Sequence, residues 1–270
     1  MPELPEVETI RLGLAPHLVG RCVTALDIRE TRLRWPVPSD LAHILLGQCL
    51  QKLERRAKYL LFRFTDGALL VHLGMSGSLR LIDPVTPLRR HDHLDWHFGD
   101  NLLRYHDPRR FGAVLWTTEP VATHPLLATL GPEPLSEACD GAWLAQQARS
   151  RRCAIKTLIM DQRVVVGVGN IYANEALYRA GIHPARIAAT VDDEDYARLA
   201  RSIKAVLQRA IQQGGTTLRD FVNEAGRPGY FQQTLQVYGR AGESCRACGG
   251  VIIMQRIGQR SSFHCPNCQR

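Results

Sequence analysis

No stretch of the 270-residue sequence approaches the ~18 consecutive apolar residues that a membrane-spanning helix needs. The start, Met1-Pro2-Glu3-Leu4-Pro5-Glu6, has neither the basic nor the apolar stretch of a secretory signal. No internal repeat is visible, which excludes a solenoid or propeller. With 45% hydrophobic and 22% charged residues, the composition excludes a mainly disordered or collagen-like chain. The expectation is a soluble intracellular protein, long enough for about two domains with their own cores. Acid is also scarce: 26 Asp and Glu stand against 34 Lys and Arg. From Gly226 to Arg270 the one acid, Glu243, faces six arginines, so this tail carries +5 of the total +8. A basic, acid-poor tail fits a polyanion such as nucleic acid. A merely solvated charged surface fits the charge equally well.

The first half reads as strands. Tyr59–Phe64 and Ala68–Leu73 flank Thr65-Asp66-Gly67 as a hairpin, and His93–Phe98 and Leu102–Tyr105 flank Gly99-Asp100-Asn101 as a second. Ala113–Thr117 is a further strand. Val7–Leu14 reads as a helix after a Pro-rich start, and Ser39 is placed to cap a short helix through Leu46. Gly131-Pro132-Glu133-Pro134 marks a boundary. Beyond it, helices are expected at Gly141–Ser150 (capped by Asp140), Ala154–Met160, Ile171–Ala180 (capped by Asn170, stopped by Gly181) and Asp192–Gln213.

The eight cysteines fall into two sets. Cys22, Cys49, Cys139 and Cys153 are scattered and read as unpaired thiols of a reducing compartment. Cys245, Cys248, Cys265 and Cys268 form C-x2-C, sixteen residues, C-x2-C. Each C-x2-C turn presents two sulfurs, and two such turns fit one tetrahedral zinc ion. A redox C-x-x-C explains neither the second pair nor the spacing. The segment is too short for a hydrophobic core, so the metal supplies its folding energy. Between the pairs, Val251–Met254 and Ser261–Phe263 read as short strands that put Arg256, Gln259 and Arg260 near a hairpin tip.

Removal of Met1 before the following proline leaves Pro2 with a free secondary amine. An α-amino group titrates near ~8, so part of it is neutral at pH 7 and able to attack an electrophilic carbon. A secondary amine gives a charged iminium directly. Glu3 and Glu6 lie beside it as carboxyls for proton transfer. The same residues also make an ordinary helix entry.

Taken together, these segments make the chain resemble the bacterial formamidopyrimidine-DNA glycosylases along nearly its whole length. The residues that carry the resemblance are Pro2–Thr9, Arg55-Arg56-Ala57-Lys58-Tyr59-Leu60, His72-Leu73-Gly74-Met75-Ser76-Gly77, Asp107-Pro108-Arg109-Arg110-Phe111-Gly112, Gly167–Tyr172, Gln213–Thr217 and the terminal cysteines. The resemblance implies an α+β multidomain fold. Its parts are an N-terminal β-sandwich with flanking helices (1–131), a helix–two-turn–helix domain (135–225) and a zinc-finger hairpin (236–270). It also implies a monomeric, cytoplasmic, nucleoid-associated enzyme of base-excision repair. Such an enzyme removes oxidised purines from damaged double-stranded DNA and then cuts the abasic strand by β,δ-elimination.

On this resemblance Pro2 is the nucleophile at the sugar C1′, Glu3 the acid/base, Lys58 a residue of the β-elimination step and Arg260 a phosphate clamp for δ-elimination. The family hairpin often reads Gly-Arg-Gly-Thr; here it reads Gly258-Gln259-Arg260-Ser261-Ser262. Met75, Arg109 and Phe111 fill the space left when the damaged base leaves the stack, although Phe111 by itself reads as core. His72, His91, Arg151, Lys156, Asn170 and Tyr238 match DNA-contacting positions, Asn170 at a helix N-terminus suited to phosphate. Residues 221–231 match a loop covering the extruded base. The zinc is one structural ion. The alternatives are an oxidised-pyrimidine enzyme like endonuclease VIII and a non-catalytic zinc DNA-binding protein.

Overall fold

The computed structural model describes residues 2–215 and 234–270, so the 221–231 loop lies outside the described residues. These residues divide into two compact units: 2–128 with 213–215, and 129–212 with 234–270.

The first unit begins with helix α1 (Leu4–Leu18) and contains α2 (Leu41–Leu45) and eight strands. The strands are β1 (Ala25–Ile28), β2 (Lys52–Arg56), β3 (Tyr59–Arg63), β4 (Ala68–His72), β5 (Ser78–Ile82), β6 (Asp92–Phe98), β7 (Asn101–His106) and β8 (Ala113–Thr117). They form two antiparallel four-stranded sheets, ordered β1-β6-β7-β5 and β2-β3-β4-β8. One core joins both sheets to α1. Val7, Ile10, Leu14 and Leu18 recur at helical spacing along α1, while Leu69 and Val71 of β4 and Leu94, Trp96 and Phe98 of β6 alternate at strand spacing.

Both expected hairpins form. β3 and β4 pair from Tyr59↔His72 to Arg63↔Ala68, and β6 and β7 close through a two-residue turn in which Gly99 takes φ +65°. The hydrophobic pattern leaves β1, β2 and β5 unmarked, and among the described residues all three are edge strands, paired with a neighbour on one side of the backbone. The short helix α2 follows Asp40 rather than a Ser39 cap.

Cys22 and Cys49 do not stand as unpaired thiols. The chain after α1 and the chain after α2 run antiparallel, tied by Leu50 N–H to Arg21 O and Val23 N–H to Gln48 O. This pairing sets the two cysteines opposite each other, and they form a disulfide. Cys139 and Cys153 are free, as expected.

The second unit holds α3 (Gly141–Ala148), α4 (Ile155–Ile159), α5 (Asn170–Ala180), α6 (Asp193–Gln212) and the hairpin β9 (Ile253–Ile257) and β10 (Arg260–His264). Asp140 caps α3, its carboxylate accepting from Trp143 N–H at 2.7 Å. α6 buries Tyr196, Leu199, Ile203, Val206, Leu207 and Ala210 along one face and carries Asp193, Glu194 and Asp195 in its first turn, where the helix dipole favours acid. Gly181 ends α5 at φ +71°. Its N-cap is Gly169 rather than Asn170, which becomes the first helical residue. Among the described residues no helix is long and apolar enough to cross a membrane.

Candidate functional site

In the first unit, the N-terminal residues are built into the helix start. Pro2 is buried and Glu3 is 3% exposed. Glu3 is the N-cap of α1 and joins Glu6 in a reciprocal capping box, the Glu6 carboxylate accepting from Glu3 N–H at 2.8 Å. Gly215 packs on this box: a Cβ there would lie 3.1 Å from Glu6 Oε1, and its φ of +79° suits glycine. Two carboxyls are thus fixed beside the proline.

Lys58 sits in the two-residue turn between β2 and β3, next to Ala57 at φ +54°, and is 7% exposed. A left-handed alanine costs conformational energy that the surroundings must hold in place. Here Arg55 donates to the Ala57 carbonyl at 2.9 Å and to Glu8 of α1 at 2.9 Å, while Glu8 also pairs with Arg11 at 2.7 Å. That network ties the Lys58 turn to the helix carrying Pro2 and Glu3. His72, at the end of β4, accepts from Gly74 N–H at 3.0 Å and packs on Tyr59 with ring centroids 4.7 Å apart. Burial, and secondly the Lys58 charge, lower its pKa to about 4, so it is a neutral ring at pH 7.

Met75 and Phe111 are 38% and 43% exposed, so Phe111 is not a core residue. The Arg109 guanidinium lies 4.7 Å from the centroid of the Phe111 ring. Two loops present these three side chains, and Asp107 joins them. It is fully buried, and its carboxylate accepts from the Ser76 hydroxyl at 2.8 Å, Gly112 N–H at 2.9 Å, the Tyr105 hydroxyl at 3.2 Å and Arg109 N–H at 3.3 Å. The backbones also meet, since a Cβ on Gly74 would lie 2.4 Å from the Phe111 carbonyl carbon. Asp107 stands inside a motif quoted from sequence, but nothing local marked it as the hub. His91 adopts φ +74° and its carbonyl accepts from Asp107 N–H at 3.1 Å; burial, then nearby Arg90, lowers its pKa.

In the second unit, the sulfurs of Cys245, Cys248, Cys265 and Cys268 all lie within 4.8 Å of one another. Tetrahedral Zn–S bonds of ~2.3 Å place sulfurs ~3.8 Å apart. The Cys248–Cys265 and Cys245–Cys268 separations of 3.4 and 3.9 Å bracket that distance, so this all-thiolate set fits one zinc ion. Arg256 and Arg260 are exposed, Arg260 as the first residue of β10 after the Gly258–Gln259 turn.

Lys156, expected at the DNA, is instead 1% exposed. Its ammonium donates to the Ser261 carbonyl at 2.8 Å and the Ser262 hydroxyl at 2.7 Å. Asn174 of α5 accepts from Phe263 N–H at 2.7 Å. Together these side chains complete the outer edge of β10, which β9 cannot reach. Tyr238 packs edge-on against Phe263, ring centroids 5.1 Å apart. The backbone here is held by Glu175, a buried carboxylate that accepts from Gln236, Val237 and Tyr238 N–H at 2.8 to 2.9 Å. Burial raises the Glu175 pKa, and the three amides oppose the rise. Asn170 opens α5, with its carboxamide oxygen buried and without a partner among the described residues. Arg151 is partly exposed, 4.0 Å from Asp161. Sequence reasoning missed Glu175 and Asn174, because their partners lie far along the chain.

A double-sheet unit with a buried proline at position 2, followed by helices and a four-cysteine hairpin, defines a zinc-finger multidomain class. Comparison with known proteins specifies it further. Residues 1–114 match the family described as the formamidopyrimidine-DNA glycosylase N-terminal domain, 130–222 the H2TH domain of the same enzymes, and 242–270 the zinc finger found in FPG and IleRS. Curated proteins called formamidopyrimidine-DNA glycosylase, from Methylococcus capsulatus and Magnetococcus marinus, are 60% and 57% identical over all of both chains. A solved complex of a Lactococcus lactis FPG variant with Fapy-dG-containing DNA superposes with a TM-score of 0.92 at 36% identity, covering 100% of each chain. The MutM (FPG) protein of Thermus thermophilus superposes at 0.89 and 36%, covering 99% of this chain and 98% of that one. The chain belongs to the formamidopyrimidine-DNA glycosylase family.

Proposed function

We infer that this chain is a bifunctional base-excision repair enzyme, a DNA glycosylase for oxidised purines such as 8-oxoguanine and formamidopyrimidines, with abasic-site lyase activity. One observation carries the assignment of chemistry: in a chain of this family, Pro2 and Glu3 are buried at the start of α1 and braced by Glu6. With Met1 removed, the neutral Pro2 nitrogen attacks C1′ of the damaged nucleotide, the base departs, and the nitrogen–carbon bond becomes an iminium as the sugar ring opens. Glu3 moves the proton at the opening sugar. The iminium acidifies C2′, and Lys58, held in its strained turn, serves the proton transfers of β-elimination. Arg260 steadies the departing phosphate; a guanidinium stays charged at pH 7 and is a poor proton donor. δ-Elimination then leaves a one-nucleotide gap with phosphate ends.

The family resemblance supports the remaining roles. Met75 and Phe111 wedge into the emptied stack, and Arg109 donates to the orphaned opposite base. Asn170 and the first amides of α5 meet a phosphate, as do Arg151 and the Tyr238 segment; His91 and neutral His72 contact the strand. Lys156 acts through the hairpin it binds. Zinc, when bound, cross-links the hairpin and takes no part in the reaction, because an amine nucleophile needs no metal-activated water. The division into a catalytic domain (1–131), a helical domain (135–225) and a zinc hairpin (236–270) and a monomeric cytoplasmic enzyme bound to duplex DNA complete the reading.

Borohydride trapping on a duplex containing 8-oxoguanine tests it. Protein with a free Pro2 terminus is expected to form a covalent adduct, and protein carrying an extension before Pro2 none. Equal adducts from both would remove Pro2 as the nucleophile, and preferential cleavage of a dihydrouracil duplex would move the substrate to oxidised pyrimidines.

A further inference from the structure

A zinc ion with four thiolates leaves a net charge of −2 on the cluster, spread over the sulfurs. Partly buried sulfur of that kind is held by hydrogen bonds from outside the ligand set. The two C-x2-C turns begin alike. In each the backbone turns back on the first cysteine: Gly249 N–H donates to the Cys245 carbonyl at 2.9 Å, and Cys268 and Gln269 N–H donate to the Cys265 carbonyl at 3.2 and 3.0 Å. The turns then differ. The hydroxyl of Tyr178, on α5, lies 3.2 Å from Cys245 Sγ. A metal-bound thiolate has no proton to give, so the hydroxyl is the donor.

Tyr178 does not arrive by chance. It stands one helical turn beyond Asn174 and Glu175, which bind Phe263 N–H and the amides of 236–238. Its ring packs against the small core of Val237, Cys245, Ile252 and Cys265. One face of α5 therefore grips the metal module at three places, and the third touches a ligand sulfur.

We propose that the Tyr178 hydroxyl is a hydrogen-bond partner of the zinc-bound Cys245 thiolate, drawing charge from that sulfur and slowing loss of the metal. With the bond in place, Cys245 is less basic and less nucleophilic, so protonation, alkylation or oxidation detaches it more slowly. This rests on the four cysteines holding zinc, which metal analysis of the wild-type protein checks separately as one zinc per chain.

The test uses the full-length protein and Tyr178→Phe, which keeps the ring and removes the oxygen. Zinc transfer to excess 4-(2-pyridylazo)resorcinol is expected to be about tenfold faster in the variant. In cobalt-substituted protein the thiolate-to-metal charge-transfer band is expected to move to lower energy, as sulfur becomes more electron-rich. Protein containing 3-fluorotyrosine, a stronger donor on an otherwise native chain, is expected to show the opposite band shift and slower release, and it decides the matter if the Phe variant does not fold. Release within twofold of wild type together with unmoved bands in either protein would overturn the proposal.

Discussion

The two units hold exposed functional groups in opposite ways. In the first, a large apolar core fixes two sheets and α1, and one buried carboxylate, Asp107, joins the loops that present Met75, Arg109 and Phe111. Around the zinc cysteines the core, among the described residues, is Val237, Cys245, Ile252 and Cys265, two of them metal ligands. Metal bonds and side chains borrowed from α4 and α5 take over the work of burial. Apolar burial scales with area, so a small module cannot rely on it. A metal and a few hydrogen bonds, each local and directional, hold the strand that carries Arg260, where a core and one buried carboxylate hold the loop that carries Phe111.

Metal removal should divide the units most sharply. On chelation, amides of β9 and β10 are expected to lose their exchange protection and DNA strand cleavage to fall at least ~100-fold, while β3, β4, β6 and β7 stay protected. A protected hairpin without metal would break the comparison. Asp107→Asn comes next. It turns an amide N–H toward donors that need an acceptor, at a cost of about 2–3 kcal/mol. Hydrogen exchange at 74–77 and 107–112 and a roughly 30-fold weaker affinity for a lesion duplex would register it; unchanged exchange would show that the core alone holds these loops.

Glu175→Gln is the counterpart in the second unit. Losing a charged acceptor of three amides is worth about 1.5–2 kcal/mol, so amides 236–238 should exchange roughly 10- to 30-fold faster. Glu175→Asp, which keeps the charge on a shorter stem, should recover part of that protection. The smallest effect belongs to pH. His72 titrates at about 4 in the folded protein against ~6.5 when unfolded, so between these values the unfolded chain binds the extra proton. Stability is expected to drop by about 1–2 kcal/mol from pH 7 to pH 5, and this part of the slope should vanish in His72→Gln. Thermal melts of both proteins at the two pH values measure it.

Much of the site is legible from residue order, and the misses have a common cause. The cysteine spacing announces a metal module, and Asp140 and Gly181 mark helix ends, because a cap bonds within a few residues of itself. The strands that escape the hydrophobic pattern, β1, β2 and β5, lie at sheet edges. Asp107 bonds Ser76 across 31 residues, Glu175 bonds Val237 across 62, and Lys156 bonds Ser261 across 105. Cys22 and Cys49 likewise meet only because two separate loops run antiparallel.

Residue order carries the chemical inventory and the local forms: a proline at position 2 beside two carboxyls, a four-thiolate metal set, an arginine at a hairpin tip, and helices and hairpins written in spacings of two to four residues. The tertiary structure alone decided which polar groups are spent on each other and which are left exposed. It turned Lys156 inward to complete β10, left Phe111 in solvent, and set Tyr178 against a cysteine sulfur. The physical reason is range. Backbone conformation and metal-ligand spacing depend on near neighbours, whereas a buried donor must find its acceptor wherever the folded chain brings one.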